Sequence, residues 1–377
     1  MFFYLDLNKI AMNSKYGNLF IRVDAGMQIG DGHFLRCLTL VNELKNKFRQ
    51  IIFISNELPK HFSQIIEKNN FKICRIDGYS HIQEEKIAMK LKKQLIQKDF
   101  IQTKKIIEKH KNSSNYLIVD HYGIDYVWEK NIRENIEKVI VIDDLANRKH
   151  DCDILFDQNF YEDMEKRYSR LIPNFCKQFL GPKFALLRPE FFNARKNLKR
   201  RNELKQILIS FGGSDPSNET YKALTSINNL EKKYIIDVIV GSNNPNKKQI
   251  MKLCLKIPFC NFYEQVDNIS KYMKKADLAI GGGGVTTWER CCLGLPTIVT
   301  SLSRDQKKIT EELSKIECVI NLGTAKKSTK LDYVNALNEI NLKKLRKISK
   351  KCLALVDGKG AKRATKKILQ TTSKGSE

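Results

Sequence analysis

The sequence DLAIGGGGVTTWE, residues 277–289, runs from a short apolar strand through four consecutive glycines into the first turn of a helix. Because glycine has no side chain, the backbone amides of such a turn can approach an anion closely at the helix start. The residues that we expect to hold a phosphate there are Gly283, Gly284, Thr286 and Thr287. Glu289, one turn further into the helix, is placed to accept the hydroxyls of a ribose. The stretch therefore predicts a nucleotide site after a strand of an α/β sheet.

Outward from this stretch, apolar runs of four to eight residues alternate with helical patterns along almost the whole chain. This alternation is typical of βαβ units, and strands that are apolar throughout are buried on both faces of a parallel sheet. The expected strands are 19–24, 50–55, 71–77, 116–120 and 139–143 in the first half, and 206–211, 235–240, 261–263, 278–280, 297–300 and 319–322 in the second. Helices of the first half are expected to start near His33, Pro59, Ile82 and Ile124.

The chain has 377 residues, which is enough for two domains with separate cores. A proline at Pro189 and the basic run that follows it interrupt the pattern, so we expect a hinge there. The predicted parts are an N-terminal extension at 1–18, a Rossmann-like domain at 19–182, a linker at 183–202, a second Rossmann-like domain at 203–355, and a C-terminal helix and tail at 356–377. Open parallel sheets bind ligands at the carboxyl ends of their strands. We therefore predict an α/β fold whose two parallel sheets face each other across a ligand cleft.

A second glycine-rich turn, DAGMQIGDGH at residues 24–33, leads from the first expected strand into a helix. Gly30 and Gly32 permit close approach of a ligand, and we expect Asp24 at the strand end to contact it. His33 lies at the helix start, where a neutral imidazole can remove a proton from water or a hydroxyl as a general base. The alternative is that His33 caps the helix or packs under the loop.

The sequence VDHYGID, residues 119–125, is a strand end that breaks into a turn. Asp120 can orient an imidazole, and Tyr122 can donate a hydrogen bond to a sugar oxygen or to an attacking water. An N-cap at Asp125, with Tyr122 as a rim aromatic, explains the same turn equally well.

A D-x-D pattern occurs at 151–153, shortly after the acid pair of VIDDL at 141–145. Such acids can hold a divalent cation beside a diphosphate. Since Asp153 opens an apolar run, we expect these acids to build turns and hydrogen-bond networks instead, and we expect neither a metal nor another cofactor.

The sequence FGGSDP, residues 211–216, follows another expected strand. Gly212, Gly213 and Ser214 can offer backbone and hydroxyl donors to a diphosphate. A plain tight turn is the alternative.

The chain carries 67 basic and 42 acidic side chains, a net charge of +25. Such a charge can indicate a nucleic acid or an acidic membrane as partner. Because the basic residues are spread over amphipathic helices, we expect solvated helix faces, with no nucleic-acid partner and no stable membrane association. Ten cysteines without a C-x-x-C pair, and no apolar run of eighteen residues, indicate reduced thiols and a cytoplasmic location.

Taken together, the motifs resemble those of the UDP-2,4-diacetamido-2,4,6-trideoxy-β-L-altropyranose hydrolases of pseudaminic acid biosynthesis. These hydrolases are relatives of the MurG-like glycosyltransferases, and their pathway serves flagellin glycosylation. The segments that carry the resemblance are IGDGHFLRCLTL, VDHYGIDYVWE, VIDDLANRKHDCDILFDQN, FALLRPEF, LISFGGSDP and GGGGVTTWERCCLGLPTI. The resemblance implies a GT-B fold with a C-terminal helix that crosses back to the first domain, and UDP held by the second domain. It also implies metal-independent cleavage of the sugar C1–O bond by water, with inversion.

The same resemblance implies individual roles. His33 matches the catalytic histidine of the family, Tyr122 the tyrosine near the sugar, and Glu289 the ribose glutamate. Val266 falls where a backbone group would contact uracil. The chain departs from the family at Asp305 and Gln306, where relatives usually carry Asn-Gln, and this puts the identity of the sugar in question.

Two rival functions remain from the sequence. A MurG-like glycosyltransferase that uses a UDP-N-acetylhexosamine would place an acceptor where the hydrolase places water. A basic nucleic-acid-binding module would bind DNA in a salt-sensitive way and would not bind UDP.

Overall fold

The computed structural model describes residues 15–26, 29–77, 89–112, 114–198 and 202–371, which form two compact units. Within the described ranges, the first unit contains the residues up to 158 together with 163–186 and 361–371, and the second contains 159–162 and 187–360. Most of the predicted N-terminal extension, the end of the predicted tail and the helix start expected near Ile82 lie outside the described residues.

The first unit is built on a seven-stranded sheet with the order β3-β2-β1-β4-β5-β6-β7, and all its strand pairs are parallel. Its strands are Tyr16–Val23 (β1), Phe48–Ser55 (β2), Lys72–Arg75 (β3), Tyr116–Asp120 (β4), Lys138–Ile142 (β5), Ile154–Asp157 (β6) and Lys177–Leu180 (β7). Helices described between them are Gly32–Leu44 (α1), Lys60–Lys68 (α2), Met89–Lys109 (α3) and Tyr126–Ile132 (α4).

The second unit contains a six-stranded parallel sheet with the order β10-β9-β8-β11-β12-β13. Its strands are Gln206–Ser210 (β8), Ile235–Val240 (β9), Cys260–Glu264 (β10), Leu278–Gly281 (β11), Thr297–Ser301 (β12) and Ile320–Thr324 (β13). Its helices are Pro189–Lys196 (α5), Glu219–Asn228 (α6), Lys247–Cys254 (α7), Ile269–Lys275 (α8), Thr286–Cys292 (α9), Arg304–Lys315 (α10), Lys330–Asn338 (α11) and Leu342–Leu355 (α12). The prediction of an α/β fold with two parallel sheets is confirmed.

Alternating side chains of the first sheet fill two cores, one on each face. In β1, Leu19, Ile21 and Val23 point into one core, whereas Phe20 points into the other. This is the period of two that a strand imposes, and with both faces covered it produces the continuous apolar run seen in the sequence.

The last helix, Gly360–Gln370 (α13), packs in the first unit. Ala361, Ala364 and Ile368 are buried in the same core as Leu19. The ammonium group of Lys138, at the start of β5, donates to the carbonyl of Ile368 over 3.0 Å. The first unit is therefore completed by residues from the far end of the chain.

The segment 183–202, predicted as a linker, divides between the units. Helix α5 belongs to the second unit, where the Arg195 guanidinium donates to the carbonyls of Cys292, Leu353 and Val356. No helix among the described residues combines the length and the apolarity needed to cross a bilayer.

Candidate functional site

The first group of site residues lies at the carboxyl ends of β1 and β4, which are neighbours in the sheet. Val23 pairs with Asp120, so the last residue of β4 lies beside the chain as it leaves β1. The glycine turn that follows β1 folds back through a bridge between Gly26 and Gly30, and Gly30 has a φ of +81°, a value that suits glycine. This turn delivers His33 in the first turn of α1, beside the end of β4.

His33 and Asp120 form a close pair. The Nδ1 atom of His33 lies 2.6 Å from Oδ1 of Asp120, and both residues are largely buried. Since a carboxylate only accepts hydrogen bonds, Nδ1 carries the proton and donates it to Asp120. Nη2 of Arg36 also lies 3.1 Å from Nδ1, whereas the Nε2 atom has no hydrogen-bond partner in the described part of the chain. The carboxylate of Asp120, expected from the sequence to orient an imidazole, thus lies against the ring of His33.

Arg36, one turn after His33 on α1, supports the pair. Its guanidinium donates to both oxygens of Asp120 at 2.6 Å and to Oδ2 of Asp144 at 2.8 Å. Burial opposes ionisation of Asp120, but the charge of Arg36 and the bond from His33 outweigh it and hold the pKa of Asp120 well below its usual range. Asp120 therefore remains an ionised acceptor at neutral pH.

Tyr122 contacts the imidazole edge-on. The ring centroids of Tyr122 and His33 are 4.6 Å apart, and the Tyr122 hydroxyl donates to Oδ1 of Asp144 over 2.8 Å. In this structure the ring of Tyr122 packs against the imidazole, while the hydroxyl proton of Tyr122 is directed to Asp144. Sequence reasoning missed the roles of Arg36 and Asp144 at this site. The signal for Arg36 was a charged residue three positions after His33 on an otherwise apolar helix face.

Asp24, predicted to contact substrate, is buried directly after β1. Its carboxylate accepts from Arg22 at 2.8 and 2.9 Å and from the hydroxyl of Ser55 at 2.9 Å, and Nε2 of His121 lies 3.2 Å from it. Burial opposes ionisation, yet the charge of Arg22 and the bond to His121 hold the pKa of Asp24 well below its usual range. Both oxygens are thus engaged within the protein, and the predicted contact of Asp24 with substrate stays a prediction.

The acids considered as cation ligands are instead paired with arginines. Asp143 accepts from Arg148 at 2.7 Å, and Arg133 bridges Asp151 and Asp153 at 2.8 and 2.9 Å. Among the described residues, no group of three or more histidines, cysteines or acids is arranged to hold a metal ion.

The second group of site residues surrounds the four glycines of the second unit, residues 281–284. Two of these glycines are needed for packing. A Cβ atom on Gly281 would lie 2.3 Å from the carbonyl oxygen of Ser210, and one on Gly283 would lie 2.4 Å from Oγ1 of Thr310. A Cβ on Gly284 would meet only Nε2 of Gln306, at 3.5 Å. Close packing thus explains half of the motif, while Gly284 has no packing reason to be glycine.

Gln306 fixes the shape of this turn. Its side-chain oxygen accepts from the amides of Gly283 and Leu302, at 3.1 and 3.0 Å. No acceptor for the amides of Gly284 and Val285 is found within the described residues, and both residues are only half-buried. These two amides are therefore available to an anion, whereas the amide of Gly283 is occupied.

The hydroxyl and carboxylate groups predicted to bind a nucleotide differ in access. Thr286 is half-buried, but Thr287 is buried and its hydroxyl accepts from Arg290 over 3.1 Å. Glu289 is largely buried, and Arg188 approaches its Oε1 to 3.5 Å. Burial raises the pKa of Glu289 and the charge of Arg188 opposes the rise.

The turn after β8 lies at the same sheet edge, since Ser210 pairs with Gly281. Gly212 and Gly213 are exposed and Ser214 is half-exposed. Gly212 has a φ of +89° with open space around it. Asp215 accepts from the amides of Glu219 and Thr220 at 2.9 Å and so caps α6.

Two more predicted residues follow strands of the second sheet. Val266 is half-buried, two residues beyond β10, and Asp305 is exposed in the first turn of α10.

Comparisons with known proteins agree with this architecture. Residues 207–368 match the model of the glycosyltransferase family 28 C-terminal domain. The structure resembles MurG of Acinetobacter baumannii with a TM-score of 0.65 at 14% identity, covering 94% of this chain and 99% of that one. It resembles a UDP-glucosyltransferase of Polygonum tinctorium with a TM-score of 0.64 at 11% identity, covering 95% and 99%. At such identities the likeness establishes the fold, which is GT-B.

Three curated proteins are similar in sequence. An uncharacterized protein of Methanocaldococcus jannaschii, MJ1062, is 29% identical over 78% of this chain, and the chain spans only 58% of its length. The spore coat polysaccharide biosynthesis protein SpsG of Bacillus subtilis is 24% identical over 92% of this chain and 96% of its own. The UDP-2,4-diacetamido-2,4,6-trideoxy-β-L-altropyranose hydrolase of Campylobacter jejuni is 26% identical over 69% of this chain and 82% of its own. Together these findings support a nucleotide-sugar-related enzyme with the GT-B fold.

Proposed function

We propose that this protein hydrolyses a UDP-linked sugar at its anomeric carbon and releases UDP. The observation that carries the proposal is the contact of 2.6 Å between Nδ1 of His33 and Asp120. It directs the Nδ1 proton to Asp120 and leaves Nε2 without a described partner, so in a neutral imidazole Nε2 carries the lone pair that a general base requires.

In the proposed reaction, Nε2 of His33 removes a proton from water while the water oxygen forms a bond to C1 of the sugar. The bond between C1 and the diphosphate oxygen breaks, and its electron pair leaves with UDP. Attack on the face opposite the leaving group inverts the configuration. Asp120 stabilises the imidazolium that forms, because its carboxylate stays ionised against Arg36.

The nucleotide end of the substrate is assigned to the second unit. The amides of Gly284 and Val285 can donate to a diphosphate, and charge that grows on the leaving group strengthens these bonds. Gly212, Gly213 and Ser214 offer further donors at the same sheet edge, since Ser210 pairs with Gly281. Glu289 would accept the ribose hydroxyls, and Val266 would contact uracil.

For the sugar, we propose a 2,4-diacetamido-2,4,6-trideoxyhexose of the altropyranose series. The named activity of the Campylobacter jejuni relative supports it. The exposed carboxylate of Asp305, at the start of α10, is the residue most able to change that preference.

His33→Ala tests the base. We expect UDP release to fall by roughly 10²- to 10⁴-fold, because a positioned base is lost, with UDP affinity within about threefold of the wild type. His110→Ala is the matched control, since this imidazole contacts only the carbonyl of Ile106 among the bonds described for its ring. Assays in ¹⁸O-labelled water should place the label in the sugar. Near-normal turnover by His33→Ala, or label in the phosphate, would refute the mechanism.

A MurG-like glycosyltransferase is the second candidate. The match of residues 207–368 to the family 28 C-terminal domain and the likeness to MurG favour it. The two functions are separated by incubation with UDP-sugar alone. Hydrolysis that needs no acceptor supports the first, whereas UDP release that appears only when a lipid-linked acceptor is added supports the second.

A further inference from the structure

Arg290, on α9, is a buried cation directly behind the glycine turn 281–284. It is 3% exposed. Its Nη2 atom donates to the carbonyl of Gly282 over 2.5 Å and to Oγ1 of Thr287 over 3.1 Å. Its Nε atom is buried without a hydrogen-bond partner in the described structure. The contacts of the guanidinium are therefore few, and the two that are bonded are neutral.

No described carboxylate lies within ion-pair distance of Arg290. Its sequence neighbour Glu289 is directed to Arg188 instead, at 3.5 Å. Burial is the largest influence on Arg290 and lowers its pKa to about 10, while the neighbouring Cys291 and Glu289 only partly oppose this. A buried charge that no hydrogen-bonded carboxylate balances is unfavourable.

The buried arginines elsewhere in the chain show the contrast. Arg22 is fully buried, yet it bonds to Asp24 and Asp99 at 2.8 and 2.6 Å. Arg36 is paired with Asp120 in the same way. Arg290 is thus the exception among these three, and it lies at the turn whose amides of Gly284 and Val285 remain available.

We propose that Arg290 supplies the counter-charge for the diphosphate of the bound nucleotide. It acts from behind the turn rather than by direct contact. An anion held at the amides of Gly284 and Val285 would balance the positive charge of Arg290. The low dielectric of the interior strengthens the attraction between the two charges. The inference rests on the proposed function, because it assumes that the turn binds the phosphates of UDP. It makes Arg290 a binding residue that distinguishes ligands by their charge.

The alternative role for Arg290 is purely structural: its hydrogen bond would only fix the position of the Gly282 carbonyl. The two roles differ in one measurable respect. If the role is structural, loss of Arg290 lowers the affinity of every ligand of the turn equally. If Arg290 is a counter-charge, its loss lowers the affinity of each ligand in proportion to the negative charge of that ligand. Uridine, UMP and UDP form the required series, since they share the base and ribose and differ in phosphate charge.

The experiment measures the affinity of these three ligands by calorimetry for the wild type and for Arg290→Met, Arg290→Lys and Arg195→Met. For Arg290→Met we expect UDP affinity to fall by roughly 10- to 100-fold, the range of a through-space attraction between charges in a protein, with a smaller loss for UMP and little change for uridine. Arg290→Lys keeps the charge and should keep most of the preference for UDP over uridine. Arg195→Met is the matched control, because Arg195, like Arg290, has only neutral acceptors among its described hydrogen bonds, here three carbonyls of the same unit.

Equal losses for uridine and UDP in Arg290→Met would overturn the inference. If that variant does not fold, Arg290→Lys decides: a lost preference for UDP overturns the inference, and a retained one supports it. Failure of the proposed function can be distinguished from failure of this inference. Wild-type protein that binds UDP but hydrolyses no UDP-sugar refutes the hydrolase while leaving Arg290 in its role, and wild-type protein that does not bind UDP refutes both.

Discussion

Replacing Gly284 by alanine is expected to weaken ligand binding without destabilising the fold. The new methyl group would lie 3.5 Å from Nε2 of Gln306, an ordinary van der Waals distance, and the φ of Gly284 is not in the left-handed region. The folded protein therefore accommodates it. Because alanine restricts the unfolded chain more than glycine does, we expect the free energy of unfolding to stay unchanged or to rise by up to about 1 kcal/mol. The methyl group instead occupies space that we assign to a phosphate.

Gly283→Ala is the matched control with the opposite expectation. Its methyl group would lie 2.4 Å from Oγ1 of Thr310, whose hydroxyl donates to the carbonyl of Gln306 over 2.8 Å. Relief of this clash requires movement of a buried, bonded side chain, so we expect a loss of about 1–3 kcal/mol in the free energy of unfolding.

Urea unfolding and UDP calorimetry on both variants provide the measurement. We expect Gly284→Ala to fold normally and to bind UDP at least about tenfold more weakly, equivalent to about 1.4 kcal/mol. Gly283→Ala should show the lower unfolding midpoint. Wild-type UDP affinity in Gly284→Ala would contradict the assignment of the phosphate to this turn. A loss of stability in Gly284→Ala equal to that of Gly283→Ala would show that the packing analysis is wrong.

Two further predictions concern the first unit. Asp120→Asn should lower both activity and stability, the latter by about 3–5 kcal/mol, since it leaves Arg36 and His33 without their shared carboxylate. Asp144→Asn, which keeps the His33–Asp120 contact, should reduce UDP release less than Asp120→Asn does. Equal losses of UDP release in the two variants would contradict the proposed role of the His33–Asp120 pair. Because the pKa values of Asp24 and Asp120 are held below the usual range, the folded state binds fewer protons than the unfolded chain. The free energy of unfolding should therefore be fully maintained above about pH 5 and fall progressively below about pH 4. Urea midpoints across this range, which should depend less on pH in Asp24→Asn, provide the check.

Most strands were predictable because they are apolar throughout. Residues 235–240 and 116–120 were predicted with the bounds that the structure has. Strand β7 was missed, since Lys177–Leu180 is exposed or half-buried at the sheet edge and lacks an apolar run. Within the predicted linker, Pro189 begins a helix, at a position where proline is tolerated.

The site was predictable where the chemistry lies within one motif. His33, Asp120 and Tyr122 were named from two separate turns, and the structure brings them together because β1 and β4 are neighbours. The contribution of Asp144 required knowledge of the tertiary structure, since nothing local links it to Arg36 or Tyr122. The packing role of Gly281 and Gly283 was also invisible in the sequence, because it depends on Ser210 and Thr310.

The position of α13 has a consequence for biosynthesis. The ribosome completes the first unit's sheet at Leu180, but the core partners Ala361, Ala364 and Ile368 emerge only after the second unit has been made. At roughly 5–20 residues per second, the nascent sheet waits roughly 10 to 40 s with an apolar groove uncovered. Chaperone demand during synthesis should therefore fall on the earlier half of the polypeptide, and a stop codon just before Gly360 should impair the amino-terminal unit rather than the carboxy-terminal one.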